Sequence, residues 1–164
     1  MPMSAIPKPI WNDEARARIA RIATSYHALT GRDLIPPSND IAHALWTAPT
    51  AIVAHGTEPD PIFFFGNETA LRLFEMSFED FTRLPSRLSA EPLARDERAR
   101  LLYRVTRLGI IDDYAGVRIS ATGRRFHIAN AAVWNLTNAQ GHPAGQAAAF
   151  TDWQAVVKNP SGMK

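Results

Sequence analysis

The sequence predicts an α+β fold: a five-stranded antiparallel sheet with helices on one face and a helical extension at the N-terminus. Residues 117–154 alternate apolar and polar side chains in three segments joined by glycine-containing turns, which is typical of a strand meander. The runs TAIVAH at 50–55 and IFFFG at 62–66 are short and apolar, and the turn-like segment between them predicts a hairpin. Apolar residues at helical spacing before and between these strands supply the helices.

The meander sets the two faces of the predicted sheet. Its strands cover 117–122, 126–137 and 144–153, and the last of them consists mostly of small residues that leave room beneath the sheet. Val117 begins the apolar side of the first strand, and Arg118 lies on its polar side. If Phe126 faces the interior, the parity of a strand places Asn130 and Trp134 on the same side.

Composition and pattern divide the chain into four parts. A flexible arm with three prolines precedes a helical cover, then comes a core that carries the sheet, and a tail follows; these are residues 1–11, 12–48, 49–154 and 155–164.

Capping residues and apolar spacing locate the helices. The first begins at Asn12 or Asp13 and ends before Gly31, and a short second helix begins at Ser38 or Asn39. Three more are predicted at 68–75 after Asn67, at 78–84 after Ser77, and from Pro92 to Leu108, with Leu101, Leu102, Val105 and Leu108 on the buried side.

Composition excludes several classes of function. Cysteine is absent, which excludes disulfides, thiolate metal sites and a cysteine nucleophile. The five histidines lack the spacing of a metal pair, and no nucleophile motif is present. The net charge of +2 is too small to predict a nucleic-acid partner, and no apolar run approaches the ~20 residues of a membrane span. These features predict a cytoplasmic protein that is not an enzyme.

Three stretches of the chain resemble one known family. AHGTEPDPIFFFGNETALRLFEMSFEDFTRLPSRLSAEP, DYAGVRISATGRRFHIANAAVWNL and GQAAAFTDW are similar to the bacterial stand-alone members of the MEKHLA family. These are PAS-like domains that are also found at the carboxyl end of plant homeodomain-leucine zipper transcription factors. The resemblance covers roughly residues 15–154. It implies a PAS-like fold and a sensory or interaction role, with no ligand specified.

Comparison with better-understood PAS subclasses reduces the number of cofactors that this chain is expected to bind. Light-sensing flavin domains of this fold carry a photoadduct cysteine, which this chain lacks, and two amides where it has Ile128 and Phe150. Haem-binding members often place a histidine on the helix before the meander, and residues 92–108 contain none. A flavin photoadduct is therefore excluded, and haem is not expected.

Two functions remain open. The first is a non-enzymatic sensory domain that binds an unidentified small molecule between sheet and helices, in a cavity lined by Phe64, Tyr103, Phe126, Asn130, Trp134 and Gln146. The alternative is a ligand-free interaction module, which pairs with a second copy or a separate output protein through an apolar outer sheet face at Ala129, Ala131 and Val133.

Overall fold

The structure, a computed structural model, describes residues 6–90 and 95–156. Its helices and strands follow the predicted order, with a 3₁₀ turn at Ser86–Ser89 inserted before the long helix. The helices are α1 (Asp13–Thr30), α2 (Ile41–Thr47), α3 (Glu68–Phe74), α4 (Phe78–Phe81) and α5 (Arg95–Leu108). The strands are β1 (Ala51–His55), β2 (Phe63–Gly66), β3 (Ile110–Ile119), β4 (Arg125–Thr137), β5 (Pro143–Phe150) and β6 (Asp152–Ala155).

The strands form one antiparallel sheet in the order β2-β1-β5-β4-β3, and β6 pairs with the first half of β4. The α+β prediction with a five-stranded antiparallel path is confirmed. The third strand predicted at 144–153 is divided, because the chain leaves the ladder at Thr151 and re-enters it as β6. The register against β4 is the same on both sides of this break, with Ala132 opposite Ala149 and Ala129 opposite Asp152.

The N-terminal helices cover the face of the sheet that we call the outer face. Asn12 caps α1 by accepting the amide of Ala15, and Gly31 ends the helix at a φ of 71°, as the sequence predicts. Ile19 and Ile22 of α1 are buried against the sheet. The predicted cap of α2 is wrong, since Asp40 accepts the first amide there.

The arm that precedes α1 is described from Ile6 onward. Its Trp11 packs against the rings of Trp46, Phe65 and Phe78 at centroid distances of 5.9 to 6.1 Å. This end of the arm is therefore part of the apolar core.

The other helices cover the opposite face, which we call the inner face. The predicted helix at 78–84 is shorter than expected and ends at Phe81, although Ser77 caps it as predicted. In α5, Leu101 and Val105 are buried as predicted, whereas Leu108 is 64% exposed. The predicted start of that helix at Pro92 lies outside the described residues.

Asn67 joins the hairpin to both helical layers. Its Oδ1 accepts the amides of Ala70 and Ile52, so it caps α3, as predicted, and also supplies an acceptor to β1. Its Nδ2 donates to the carbonyls of Leu45, Ala48 and Thr50. The side chain is fully buried, and both the oxygen and the nitrogen of its amide have backbone hydrogen-bond partners, as a buried polar group requires.

A bend crosses the sheet and exchanges the faces within each strand of the meander. In β4, Phe126 and Ile128 face inward before the bend, and Ala131 and Val133 face inward after it. Asn130 lies between them at a φ of 54°, a left-handed conformation that interrupts strand alternation. Neighbouring strands change at the same level, at 112–113 in β3 and 151–152 in β5 and β6. The register of β4 against β5 and β6 is the same on both sides of the bend, whereas that of β3 against β4 is irregular around Tyr114 and then resumes. The alternation of inward and outward side chains along each strand is therefore interrupted at this bend.

Candidate functional site

A cavity of about 60 Å³ lies between the inner face of the sheet and the layer formed by α5 and the 3₁₀ turn. Val53, Ala148 and Val133 lie side by side on β1, β5 and β4 and form its floor. Leu101 of α5 closes it from above. The cavity exists because an alanine separates two valines in this row, which leaves unfilled the volume that a larger side chain would occupy.

One end of the cavity carries hydrogen-bond donors. Arg118 lies opposite Phe126 on the inner face and lines the cavity together with Ser86 and Ser89. Its guanidinium donates to Tyr114 Oη at 3.2 Å and lies 3.4 Å from Ser89 Oγ. The Ser89 hydroxyl in turn donates to the Ser86 carbonyl at 2.6 Å. A cation and several hydroxyl groups thus meet an otherwise apolar space.

The opposite end is closed by an amide network. Gln146 Nε2 donates to Asn135 Oδ1 at 3.1 Å, and Asn135 Nδ2 donates to the Val105 carbonyl of α5 at 3.0 Å. His55, Leu102 and Gln146 line both the cavity and a groove of about 440 Å³ on the surface. These three side chains therefore lie between the cavity and the groove, and we call them the partition.

Of the six residues predicted to line the cavity, Gln146 does so. Phe126 is buried on the inner face, packed edge-on against Phe74 at a centroid distance of 5.2 Å. Both residues belong to the layer in which the cavity lies. Phe126 is nevertheless not one of the residues that line the cavity, because its ring packs against Phe74.

The other four predicted positions are wrong. Trp134 lies on the outer face, where its indole N–H donates to the Ile22 carbonyl of α1. Phe64 also points to the α1 side, with the Arg18 guanidinium 3.9 Å from its ring centroid. Tyr103 is 61% exposed on α5, and Asn130 is exposed at the bend, where it donates to Asp152.

The predicted apolar interaction surface does not exist as an exposed patch. Ala131 and Val133 are buried on the inner face, and Val133 lines the cavity. Ala129 is half-buried in the first half of β4. The bend at Asn130 is the physical reason, because it turns the residues after it to the face opposite to the one that parity assigns.

Arg118 is the functional candidate that the sequence prediction missed. Its neighbours Val117 and Ile119 are apolar, and parity assigned Arg118 to the polar, outward side of a half-buried strand. In the structure β3 is an edge strand, with Val117 and Ile119 half-buried and Arg118 facing inward. The feature that would have placed Arg118 on the inner face is its pairing with Phe126, and this pairing can be recognised only when the register of the hairpin is known.

The carboxyl groups with lowered pKa lie away from the cavity lining. Hydrogen bonds from Ser120 and Thr122, each at 2.6 Å, lower the pKa of Glu75, and Arg124 adds a smaller attraction. The amide of Ile62 lowers the pKa of Glu58, and the amide of His43 does so for Asp40. These contacts fix turns and helix ends.

Comparison with known proteins identifies the family. The model of the MEKHLA domain matches residues 16–155, which is most of the chain. The chain belongs to the MEKHLA domain family. No curated protein matches the sequence of this MEKHLA domain.

Solved structures show that the MEKHLA domain has a PAS-like fold. A PAS domain of a protein from Colwellia psychrerythraea is 15% identical, with a TM-score of 0.58 over 72% of this chain and 95% of that chain. A PAS domain from a two-component sensor histidine kinase is 14% identical, with a TM-score of 0.52 over 70% and 91%. An RNA-binding Light-Oxygen-Voltage receptor is 15% identical, with a TM-score of 0.56 over 72% and 36%. At these identities the likeness establishes the fold alone.

The cavity of this MEKHLA domain does not fit the cofactors that some PAS-like proteins carry. Pockets for cofactor-sized ligands measure about 300 Å³ or more, several times the volume found here. Ile128 is buried on the cavity wall, where it adds no hydrogen-bonding group for a flavin ring. Within residues 6–90 and 95–156, no group of three or more histidine or carboxylate side chains could hold a metal ion. No helix in the same ranges is long and apolar enough to cross a membrane.

Proposed function

We propose that this PAS-like sensory domain binds a small molecule of only a few non-hydrogen atoms in the cavity between the sheet and α5, and that it catalyses no reaction. The mainly apolar cavity between the sheet and α5, with polar groups at both ends, is the observation that supports this function most strongly. Apolar walls favour a hydrocarbon group, and a few placed polar groups orient it.

The volume of the cavity limits the size of the ligand. A water molecule takes about 30 Å³ in the liquid, and a cavity of about 150 Å³ is known to hold benzene. The volume of about 60 Å³ found here therefore has room for two or three carbon atoms. A larger ligand requires α5 to move away from the sheet or the partition at Gln146 to open.

Occupancy of the cavity would be transmitted through α5. Leu101 forms its roof, and Val105 is fully buried one turn further along the same helix. The carbonyl of Val105 accepts from Asn135, which holds the partition residue Gln146. A ligand that presses on Leu101 or displaces Gln146 therefore changes the position of a helix whose other side faces solvent at Tyr103.

The test is a thermal-shift screen with compounds of two to five non-hydrogen atoms, combined with the variant Ala148→Val. The added methyl groups project into the cavity, and we expect this variant to remain folded and to lose the stabilisation that the compounds give to the wild type. Ala115→Val is the matched control, because Ala115 is exposed on β3. Binding that persists unchanged in Ala148→Val, or the absence of any stabilising compound, would refute the proposal.

A further inference from the structure

Arg118 differs in its partners from the six arginines of the described residues that pair with a carboxylate. Within residues 6–90 and 95–156 its hydrogen bonds go to the hydroxyl groups of Tyr114 and Ser89, and none goes to a carboxylate. Other arginines in these ranges form ion pairs with aspartate or glutamate, namely Arg16, Arg72, Arg83, Arg87, Arg104 and Arg124. A half-buried guanidinium with hydroxyl partners keeps its charge and several N–H donors for an anion.

The tyrosine beside Arg118 is held in place by the backbone. Its ring lies 5.3 Å from the guanidinium carbon, and a Cβ at Gly116 would come within 2.5 Å of its hydroxyl. A glycine at this position therefore permits Tyr114 to fold back along β3 toward Arg118. Because Tyr114 Oη accepts from Arg118, it orients the guanidinium at the cavity end, although Tyr114 itself is not one of the residues that line the cavity.

The chemistry of this end matches a single carboxylate. A guanidinium binds the two oxygens of a carboxylate with parallel N–H bonds. The rest of the cavity wall is dominated by side chains such as Val53, Val133 and Leu101, which favour a hydrocarbon tail. A second charge on the ligand would enter an apolar space without a partner, which is strongly unfavourable.

We propose that Arg118, oriented by Tyr114 and Ser89, binds the carboxylate of a short aliphatic monocarboxylate whose tail of one to three carbons fills the cavity. The proposal rests on the proposed function, since it names the ligand class for the same cavity. Chains of about two to four carbons match its volume of about 60 Å³. Within that range each added methylene increases affinity about fourfold, and longer straight chains exceed the space and bind more weakly.

The test is a calorimetric or NMR titration of the whole chain with acetate, propionate, butyrate and hexanoate, and with propionamide as the neutral isostere of propionate. We expect propionate to bind at least about tenfold more tightly than propionamide, because hydrogen bonds to charged groups are the stronger ones. Arg118→Gln should remove that preference and leave the affinity for propionamide unchanged, and Arg118→Lys should keep part of it.

Arg107→Gln is the matched control, because Arg107 also donates to a tyrosine hydroxyl four residues away, at 2.9 Å from Tyr103 on the exposed side of α5. It should bind propionate as the wild type does. Equal affinity for propionate and propionamide, or an Arg118→Gln variant that still prefers propionate, overturns the carboxylate assignment. If propionamide, or any other compound of the thermal-shift screen, still binds and Ala148→Val abolishes that binding, the proposed function survives that failure; if no compound binds, both fail.

Discussion

Replacing Asn67 by alanine should destabilise the protein far more than loss of a helix cap explains. The substitution leaves the amides of Ile52 and Ala70 without the acceptor they share, in a position that is 0% exposed. A buried amide without a partner costs about 1–3 kcal/mol, and the carbonyls that lose the Nδ2 donor add to this. We therefore expect a loss of about 3–5 kcal/mol in the free energy of unfolding, against a typical total of about 5–15 kcal/mol.

Urea denaturation followed by tryptophan fluorescence measures this loss. Asn12→Ala is the matched control, because Asn12 caps α1 with one bond of 2.8 Å at an exposed position, and its loss should cost about 1 kcal/mol. Asn67→Asp keeps both accepted amides but sets a buried carboxylate oxygen against the carbonyls of Leu45, Ala48 and Thr50, so it should destabilise the protein at least as much as Asn67→Ala. If Asn67→Ala costs no more than Asn12→Ala, the reasoning that Asn67 links the hairpin to two helical layers is refuted.

Three further predictions concern the turns and the bend. Because its pKa is lowered from 4.5 by the hydrogen bonds from Ser120 and Thr122, Glu75 contributes its full stabilisation above that pH and loses it as pH falls through the lower folded pKa; Glu75→Gln should therefore cost about 1 kcal/mol at pH 7, and this cost should shrink steadily as the pH is lowered below 4.5 in denaturant titrations. Gly145→Ala should cost about 3 kcal/mol or more, since its Cβ would lie 2.0 Å from the His55 carbonyl oxygen, whereas Gly141→Ala, with no atom within 4 Å, should cost about 1–2 kcal/mol in the same assay. Asn130→Val should lower the melting temperature more than Asn130→Gly, because a β-branched residue resists a φ of 54°; equal melting temperatures would contradict the bend.

Local signals in the sequence were sufficient to predict most of the elements. Asn12, Asn67 and Ser77 cap the helices for which they were proposed, and Gly31 ends α1, because capping depends on residues within one turn of the helix. The family resemblance added the PAS-like fold. The donor side of Asn67 was not predictable, since its partners at 45–50 are brought to it only by folding.

The residues of the cavity were predicted less well, for two physical reasons. The prediction assumed that side chains alternate without interruption along β4, but the left-handed conformation of Asn130 reverses the faces there. Trp134 was therefore assigned to the inner face and Val133 to the outer face, and the structure has them the other way round. Tyr103 could have been placed correctly, because a residue two positions after Leu101 lies on the far side of a helix. Arg118 required the register of β3 against β4, a non-local property.

The most direct test of ligand binding in the cavity is a set of intermolecular nuclear Overhauser effects from the methyl group of propionate, with propionamide measured in parallel. We predict contacts to the methyl groups of Val53 and Val133, which form the cavity floor. Leu29 and Leu108 provide the internal reference, because both are exposed on the surface at 41% and 64%. Contacts confined to these two leucines, or no contacts at all with either compound, would contradict the assignment of the cavity as the ligand site.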